Sequence, residues 1–201
     1  FVAVLGSAIY YTIGKIQYKN QLMDIEEYSP KSTLVVASNE RTRSKFPFVD
    51  VHNHQFDMPV KDLSKLTAEM DGLNMAFMVN LSGFRGLYMT KCLENVKKNA
   101  PSRFGLFVNL DWEQIDAPDF MENNLTILRD AKLAGTIGLK VYKSLGLTDT
   151  DSSGKRIAVN DPRLDPIWAE CGVLGFPVLI HSAEPASFWK PKDKFNERWL
   201  E

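Results

Sequence analysis

The sequence predicts an α/β fold with a parallel sheet, a partial (β/α)8 TIM barrel of about five βα units preceded by an apolar N-terminal segment. Two observations predict it. From Phe46 onward, short apolar runs alternate with longer segments of helical periodicity, the pattern of repeated βα units. The loop after the first apolar run carries histidines, whereas an open doubly wound sheet, the alternative fold, would favour a glycine-rich phosphate loop there.

Short, continuously apolar runs mark the predicted strands, as expected for a parallel sheet that is covered on both faces. These runs span residues 48–51, 75–80, 104–109, 135–142 and 177–180. The segments between them repeat apolar residues at helical spacing, for example Leu63, Leu66 and Met70. The predicted helices span residues 60–70, 87–99, 116–134 and 161–174, with boundaries at signals such as Asp71-Gly72 and Asp161-Pro162.

The N-terminal part of the chain divides into two segments before the barrel. Residues 1–15 are almost unbroken in apolar character and start at Phe1, so they are interpreted as the remnant of a signal peptide or membrane anchor. An amphipathic first helix packed on the domain is the alternative. Residues 16–45 read as a linker, and residues 46–201 as the N-terminal part of the barrel. An exported or membrane-anchored location follows from this interpretation.

Composition excludes some classes of function. A net charge of -1 provides no general attraction for polyanions, so nucleic acid is not an expected partner and a small-molecule substrate is. The chain has two cysteines, Cys92 and Cys171, which lie in predicted helices and lack the CxxC spacing of a zinc or redox site. They are therefore predicted to be buried thiols.

All three histidines of the chain follow predicted strands. His52 and His54 end the first strand in Val49-Asp50-Val51-His52-Asn53-His54, and His181 ends the fifth. Side chains at the carboxyl ends of barrel strands converge on one face. Alternation along the strand turns Asn53 away and places the two imidazoles on the same side, where both can approach one divalent ion.

Lys140 is a further candidate, since it lies within the otherwise apolar fourth strand, where an unpaired ammonium would be costly to bury. A buried lysine with a depressed pKa could form a carbamate with carbon dioxide that bridges two metal ions. An ion pair with a protein or substrate carboxylate is another explanation. A third is a side chain that extends to solvent at the strand end.

These motifs together resemble the amidohydrolase superfamily, in particular its amidohydrolase-2 branch. The resemblance covers residues 46–201 and rests on His-Asn-His in strand one, Gly-Leu-Lys-Val-Tyr in strand four and Gly-Phe-Pro-Val-Leu-Ile-His in strand five. It implies a barrel that holds one or two divalent metals, usually zinc, through His52, His54, Lys140 and His181. In the dihydroorotase-like members the matching lysine is carbamylated. The resemblance also implies a later histidine and a catalytic aspartate, both expected beyond residue 201.

The implied reaction is hydrolysis of an amide, lactone or ester by a metal-activated water, with the aspartate as the proton shuttle. Two alternatives stay open: a nonhydrolytic metal-dependent decarboxylase of the same superfamily, and a non-catalytic, membrane-tethered barrel. Among loop residues, Arg85, Glu184 and Trp189 are candidates for substrate binding, and Trp112 for a pocket wall. Asp50 is expected to play a structural part.

Overall fold

The computed structural model describes residues 25–30, 36–37, 39–182 and 184–199. The apolar segment at 1–15, with its predicted role as leader or anchor, lies outside these residues, as does much of the predicted linker. Within the described ranges, no helix combines the length and the apolar character needed to cross a membrane. The chain forms two compact units, one of residues 40–183 and one that combines residues 1–39 with 184–201.

The unit of residues 40–183 contains the sheet and its helices. Its strands are β1 (Phe48–Asn53), β2 (Met75–Asn80), β3 (Phe104–Val108), β4 (Gly138–Val141) and β5 (Val178–Ile180). Its helices are α1 (Leu63–Leu73), α2 (Gly86–Asn99), α3 (Phe120–Ala134) and α4 (Asp165–Leu174). A 3-10 turn at Pro162–Leu164 precedes α4, and two short helical turns lie within Ser144–Leu147.

The described strands form one parallel sheet in the sequential order β1-β2-β3-β4-β5. A doubly wound sheet would reverse its strand order at a switch point, so the sequential order argues against that alternative. Together with the intervening helices, the strands form a curled half-barrel, which confirms the predicted α/β class and the alternation of strand and helix.

The two faces of the sheet have different environments, because alternate residues of a strand point to opposite sides. One face packs on the helices and contributes Leu106, Val108, Leu139 and Val141 to the main core. The opposite face carries a smaller apolar cluster of Val79, Leu81 and Phe107, with Phe77 and Leu179 packed against it. We call these the helix face and the inner face.

Gly138 shapes the inner face. It pairs with Phe107 across β3 and β4, and a Cβ atom at Gly138 would lie 2.5 Å from the Phe107 ring. Only glycine therefore lets the ring lie flat against the neighbouring strand. The next residue of β4 on this face is Lys140, which pairs with Leu179 of β5. The inner face thus changes from apolar to polar towards the carboxyl ends of the strands.

Several predicted boundaries were wrong for local reasons. Helix α1 starts at Leu63, not at residue 60, because the Asp62 side chain accepts the Ser64 N–H at 3.0 Å. It also continues through Gly72, and Asn74, at φ 66°, ends it instead. Strand β4 starts only at Gly138 because Gly135, at φ 108°, caps α3 first.

Helix α3 starts at Phe120, four residues later than the predicted residue 116. The Asp116 carboxylate is used elsewhere, since it accepts the Ser152 N–H at 2.7 Å and pairs with Arg163 at 2.8 Å. Cys92 and Cys171 lie in helices and are buried free thiols, as predicted. Burial raises the pKa of each thiol to about 11.

The second unit is described over residues 25–30, 36–37, 39 and 184–199 and contains 3-10 turns at Ile25–Glu27 and Ala186–Trp189. Its segments are joined by hydrogen bonds from the Ser29 N–H to the Lys194 carbonyl, at 2.9 Å, and from the Tyr28 hydroxyl to the Glu197 carbonyl, at 3.0 Å. The Asn196 amide, which is buried, donates to the Ser187, Lys190 and Pro191 carbonyls. These bonds order a region that is poor in regular structure.

Candidate functional site

His52 and His54 lie at the carboxyl end of β1, where the strand departs from regular pairing with β2. The Asp50 carboxylate folds back over this turn and accepts the His52 N–H at 3.0 Å and the Asn53 side-chain N–H at 2.9 Å. The two imidazole rings lie 5.5 Å apart between centroids, at 66° to each other. Asp50 thus has a structural part: it fixes the backbone that presents the histidine pair.

His54 is also held by its surroundings. Its ring stacks with two aromatic side chains, with centroids 5.6 Å from Phe56 and 6.1 Å from Tyr142. Its Nδ1 atom lies 2.7 Å from the Ser82 hydroxyl, which in turn lies 3.1 Å from the Tyr142 hydroxyl. Ser82 is fully buried, so this contact occupies a protected position behind the imidazole.

Lys140 lies on the inner face of β4 and is 1% exposed, so it does not extend to solvent as one of the alternatives required. Among the residues that the structure describes, its ammonium group has no hydrogen-bond partner, and its polar contact is the Tyr142 ring, 5.8 Å from Nζ. Burial lowers the pKa of Lys140. An amine in this position is more readily neutral, and therefore nucleophilic, than a surface lysine.

His181 follows β5 and is anchored through its backbone N–H, which donates to the Val141 carbonyl at 3.1 Å. Its side chain is half-buried. The pKa of His54 is lowered, first by burial and then by the charges of His52, Lys140 and His181. Residues from the first, fourth and fifth strands are therefore close enough to influence one imidazole.

The side chains do not form a closed metal site as they are placed. Within the described part of the chain, no three His, Cys, Asp or Glu side chains come close enough together to hold a metal ion. Imidazole and neutral amine groups are nevertheless suitable donors or precursors of donors for zinc. Lys140 Nζ is buried without a hydrogen-bond partner among the described residues, and a metal bound nearby would explain why this polar atom lies in the interior.

Arg85, predicted to bind substrate, instead pairs with the Asp111 carboxylate at 2.8 Å. Both residues line an open cavity of about 480 Å³ at the start of α3, beside Asn124. The preceding residue, Phe84, contacts Phe56 with a centroid distance of 6.2 Å, so the Arg85 loop reaches the aromatic side chains around His54. Arg85 is therefore near the candidate site but engaged with a protein carboxylate.

The other predicted contact residues have different surroundings within their own units. Glu184 and Trp189 belong to the second compact unit, where Trp189 is 71% exposed. Trp112 was expected to line a pocket, and this is wrong: it is buried in the main core with its ring 5.8 Å from that of Trp168. Packing against an apolar helix surface explains its position better than contact with a ligand.

Sequence reasoning missed the residues that organise the strand ends. Asn80 accepts the N–H groups of Gln55 and Ser82, at 3.0 and 2.9 Å, and so links the loops after β1 and β2. Asn109 does the same one strand further: it accepts the Phe84 N–H at 2.7 Å and donates to the Lys140 carbonyl at 3.3 Å. Both asparagines are buried. The repeated tripeptide Val-Asn-Leu, at residues 79–81 and 108–110, was the available signal.

Comparison with known proteins does not assign the chain to a family. No family model matches the chain, and no curated protein matches it. The resemblance to amidohydrolases therefore depends on the three strand-end motifs alone and stays a prediction. What the geometry itself offers is a histidine pair, a third histidine within electrostatic range and a buried amine, all at the carboxyl ends of parallel strands, which is where barrel enzymes carry their active sites.

Proposed function

We propose that this protein is a metal-dependent hydrolase that acts on a C–N or C–O bond of an amide, lactone or ester. The observation that carries the proposal is the Lys140 amine, which is buried without a hydrogen-bond partner in the described residues and whose charge reaches the adjacent His52–His54 pair. A structural lysine would normally be paired or would reach solvent. A ligand that compensates for this amine therefore explains its burial.

The residues present suit a divalent metal, most simply zinc, in one or two copies. His52 and His54 would hold it from one strand and His181 from another, since imidazole nitrogen is a preferred zinc donor. When bound, a divalent metal supplies Lewis-acid activation of water and of a carbonyl group. The rings of Phe56 and Tyr142 stack on that of His54 and keep it oriented.

Lys140 has a specific part in this proposal. Its neutral amine attacks the carbon of carbon dioxide. A new N–C bond forms as one C–O π bond opens onto oxygen, and one amine proton leaves to water, which produces a carbamate anion. The product carries two oxygen donors where the unmodified side chain has an ammonium group that lacks a hydrogen-bond partner. Among the described residues, Lys140 Nζ has no hydrogen-bond partner, carboxylates included, which favours this explanation over a protein salt bridge.

Zinc binding by the full chain tests the proposal most directly. Isothermal titration with Zn²⁺ should show binding that falls by more than about tenfold in His52→Asn, His54→Asn and His181→Asn, because losing a ligand costs at least as much as losing an outer-shell partner. The matched pair for lysine is Lys140→Met against Lys143→Met, since Lys143 is exposed three residues along the chain. Only the former should weaken binding when bicarbonate is present.

Two results would overturn the proposal: absence of Zn²⁺ binding by the wild-type chain, or binding that all three histidine variants retain. With the later histidine and aspartate that the resemblance implies also present, the zinc-loaded protein should release p-nitrophenol from p-nitrophenyl acetate, and a chelator should abolish that release. Carbon dioxide evolution from an aromatic hydroxy acid, without hydrolysis of the ester, would favour the decarboxylase instead. A labelled-carbon signal for the carbamate, in protein equilibrated with isotopically labelled bicarbonate, tests the modification of Lys140 separately.

A further inference from the structure

Behind His54 lies a continuous series of polar contacts that the proposed reaction has not yet used. His54 Nδ1 lies 2.7 Å from Ser82 Oγ, Ser82 Oγ lies 3.1 Å from Tyr142 Oη, and Tyr142 Oη lies 3.2 Å from the Leu81 carbonyl oxygen. The series joins the ends of β1, β2 and β4. Its first member, His54, is more buried than His52, the other histidine of the pair.

The chemistry of the last member sets the direction of every proton in this series. A carbonyl oxygen can only accept, so Tyr142 must donate its hydroxyl proton to Leu81. Tyr142 then has only lone pairs for Ser82, so Ser82 must donate to Tyr142. Ser82 in turn has only lone pairs for His54, so Nδ1 of His54 must carry a proton. This is the single assignment in which all three contacts are hydrogen bonds.

We propose that Ser82 and Tyr142 are positioning residues that hold neutral His54 as its Nδ1–H tautomer and so direct the lone pair of Nε2 away from the series. The inference rests on the proposed function for its purpose, because only an unprotonated nitrogen can bind a metal or accept a proton. A free imidazole exchanges between two tautomers. A fixed acceptor facing Nδ1, here the Ser82 oxygen, disfavours the tautomer that would present an N–H at Nε2, where a lone pair is needed.

The protein holds both hydroxyl groups firmly enough for this purpose. Ser82 is fully buried, and its backbone N–H donates to the Asn80 side chain at 2.9 Å, which fixes the residue from which the hydroxyl extends. The Leu81 carbonyl that ends the series also accepts from Asn109 at 3.1 Å, so its two lone pairs are both used. The two buried asparagines of the strand ends thereby support the series from either side.

The test is ring nitrogen NMR on the full chain, ¹⁵N-labelled at histidine, free of metal, at about pH 8, where histidine is neutral. Long-range proton–nitrogen spectra distinguish a protonated from an unprotonated ring nitrogen. The three histidines are assigned through His52→Asn and His181→Asn. In the wild type, His54 should show protonated Nδ1 and unprotonated Nε2. In Ser82→Ala the Nε2–H form should become the major one, and Tyr142→Phe should produce a mixture.

Tyr88→Phe is the matched control. It removes another tyrosine hydroxyl near the site, which donates to the Phe56 carbonyl and takes no part in the series. It should leave the His54 tautomer unchanged. Should Ser82→Ala fail to fold, Tyr142→Phe carries the test. An Nε2–H tautomer in the wild type, or an unchanged tautomer in both variants, would overturn the inference.

Zinc titration separates this inference from the proposed function. If both hold, Ser82→Ala should weaken Zn²⁺ binding by about 10–100-fold, the usual cost of losing an outer-shell partner. If the wild type binds no Zn²⁺ while the tautomer responds to Ser82→Ala as expected, the series positions His54 but the metal-dependent hydrolase is wrong. If the wild type and Ser82→Ala bind Zn²⁺ equally well and have the same His54 tautomer, the proposed hydrolase stands and the positioning role is wrong.

Discussion

The helix face and the inner face of this sheet are formed by the same strands but bury different kinds of side chain. On the helix face, Leu106 and Leu139 are completely buried among other apolar side chains. On the inner face, the same stretch of β4 carries Lys140, equally buried but without a hydrogen-bond partner in the described residues. Burial of an apolar side chain stabilises the fold, whereas burial of an amine without a partner destabilises it.

This difference between the two faces shows which residues packing alone explains. Residues of the helix face need no explanation beyond packing. Lys140, Ser82 and Tyr142 do, because a polar group in the interior persists only when it is fully satisfied or when it serves a site. The polar side chains also concentrate at the carboxyl ends of the strands, so the site we propose lies where the inner face departs from apolar character.

The largest effect is expected on the helix face. Leu106→Ala should lower the free energy of unfolding by about 2–5 kcal/mol, because it leaves a cavity in a fully buried region. Urea denaturation followed by circular dichroism measures it. Leu133→Ala is the control, since Leu133 is 86% exposed, and its effect should stay within about 0.5 kcal/mol. Equal effects of both substitutions would remove the distinction between core and surface on this side.

An effect of the opposite sign is expected on the inner face. In metal-free, bicarbonate-depleted protein, Lys140→Met should raise the free energy of unfolding by about 1–3 kcal/mol, because it removes a buried group that lacks a hydrogen-bond partner and keeps the volume of the side chain. Lys143→Met, at an exposed position, should change it little. A loss of stability in Lys140→Met as large as that of Leu106→Ala would show that the amine has a structural partner.

The sequence predicted the fold well because its strands are mostly apolar, whether they are buried throughout, as β3 and β4 are, or largely exposed, as β1 is. The bounds of β2 were predicted to the residue, and those of the other strands to within three. Errors in the helix bounds arose where one side chain decides the outcome. Asp62 caps α1, whereas Asp116 bonds Ser152 and Arg163 instead of starting α3. Whether an aspartate caps a helix depends on partners distant in sequence, which periodicity does not reveal.

For the candidate site, the sequence predicted the residues whose chemistry is unusual in their local context. A histidine at the end of an apolar strand, or a lysine inside one, is visible without a structure. Ser82 and Tyr142 were not visible in this way, because a serine after a strand and a tyrosine at a strand end are ordinary. Their importance comes from the contact between them, across 60 positions of sequence. The proposed function itself stays a prediction until zinc binding is measured.

The smallest expected effect is the loss of stability at acid pH, which we attribute to His54 on the inner face. Burial lowers the pKa of His54 below its ordinary value of 6.5, and His52, Lys140 and His181 lower it further. The unfolded chain therefore binds a proton at this site before the folded protein does. The contribution of His54 to stability should be constant above about pH 6.5 and should fall as the pH drops through 6.5 towards the lowered pKa of the folded state.

Measurement of the free energy of unfolding between about pH 5 and pH 8, in the presence of a chelator, tests this assignment. His54→Gln should flatten the part of the profile just below pH 6.5. His52→Asn should only reduce its slope, since burial is the larger cause of the shift. The thiols of the helix face, Cys92 and Cys171, have pKa values of about 11 and stay neutral throughout this range. If the free energy of unfolding of His54→Gln depends on pH as steeply as that of the wild type, a group other than His54 controls acid sensitivity. Burial and the neighbouring charges would then affect the His54 imidazole less than we infer.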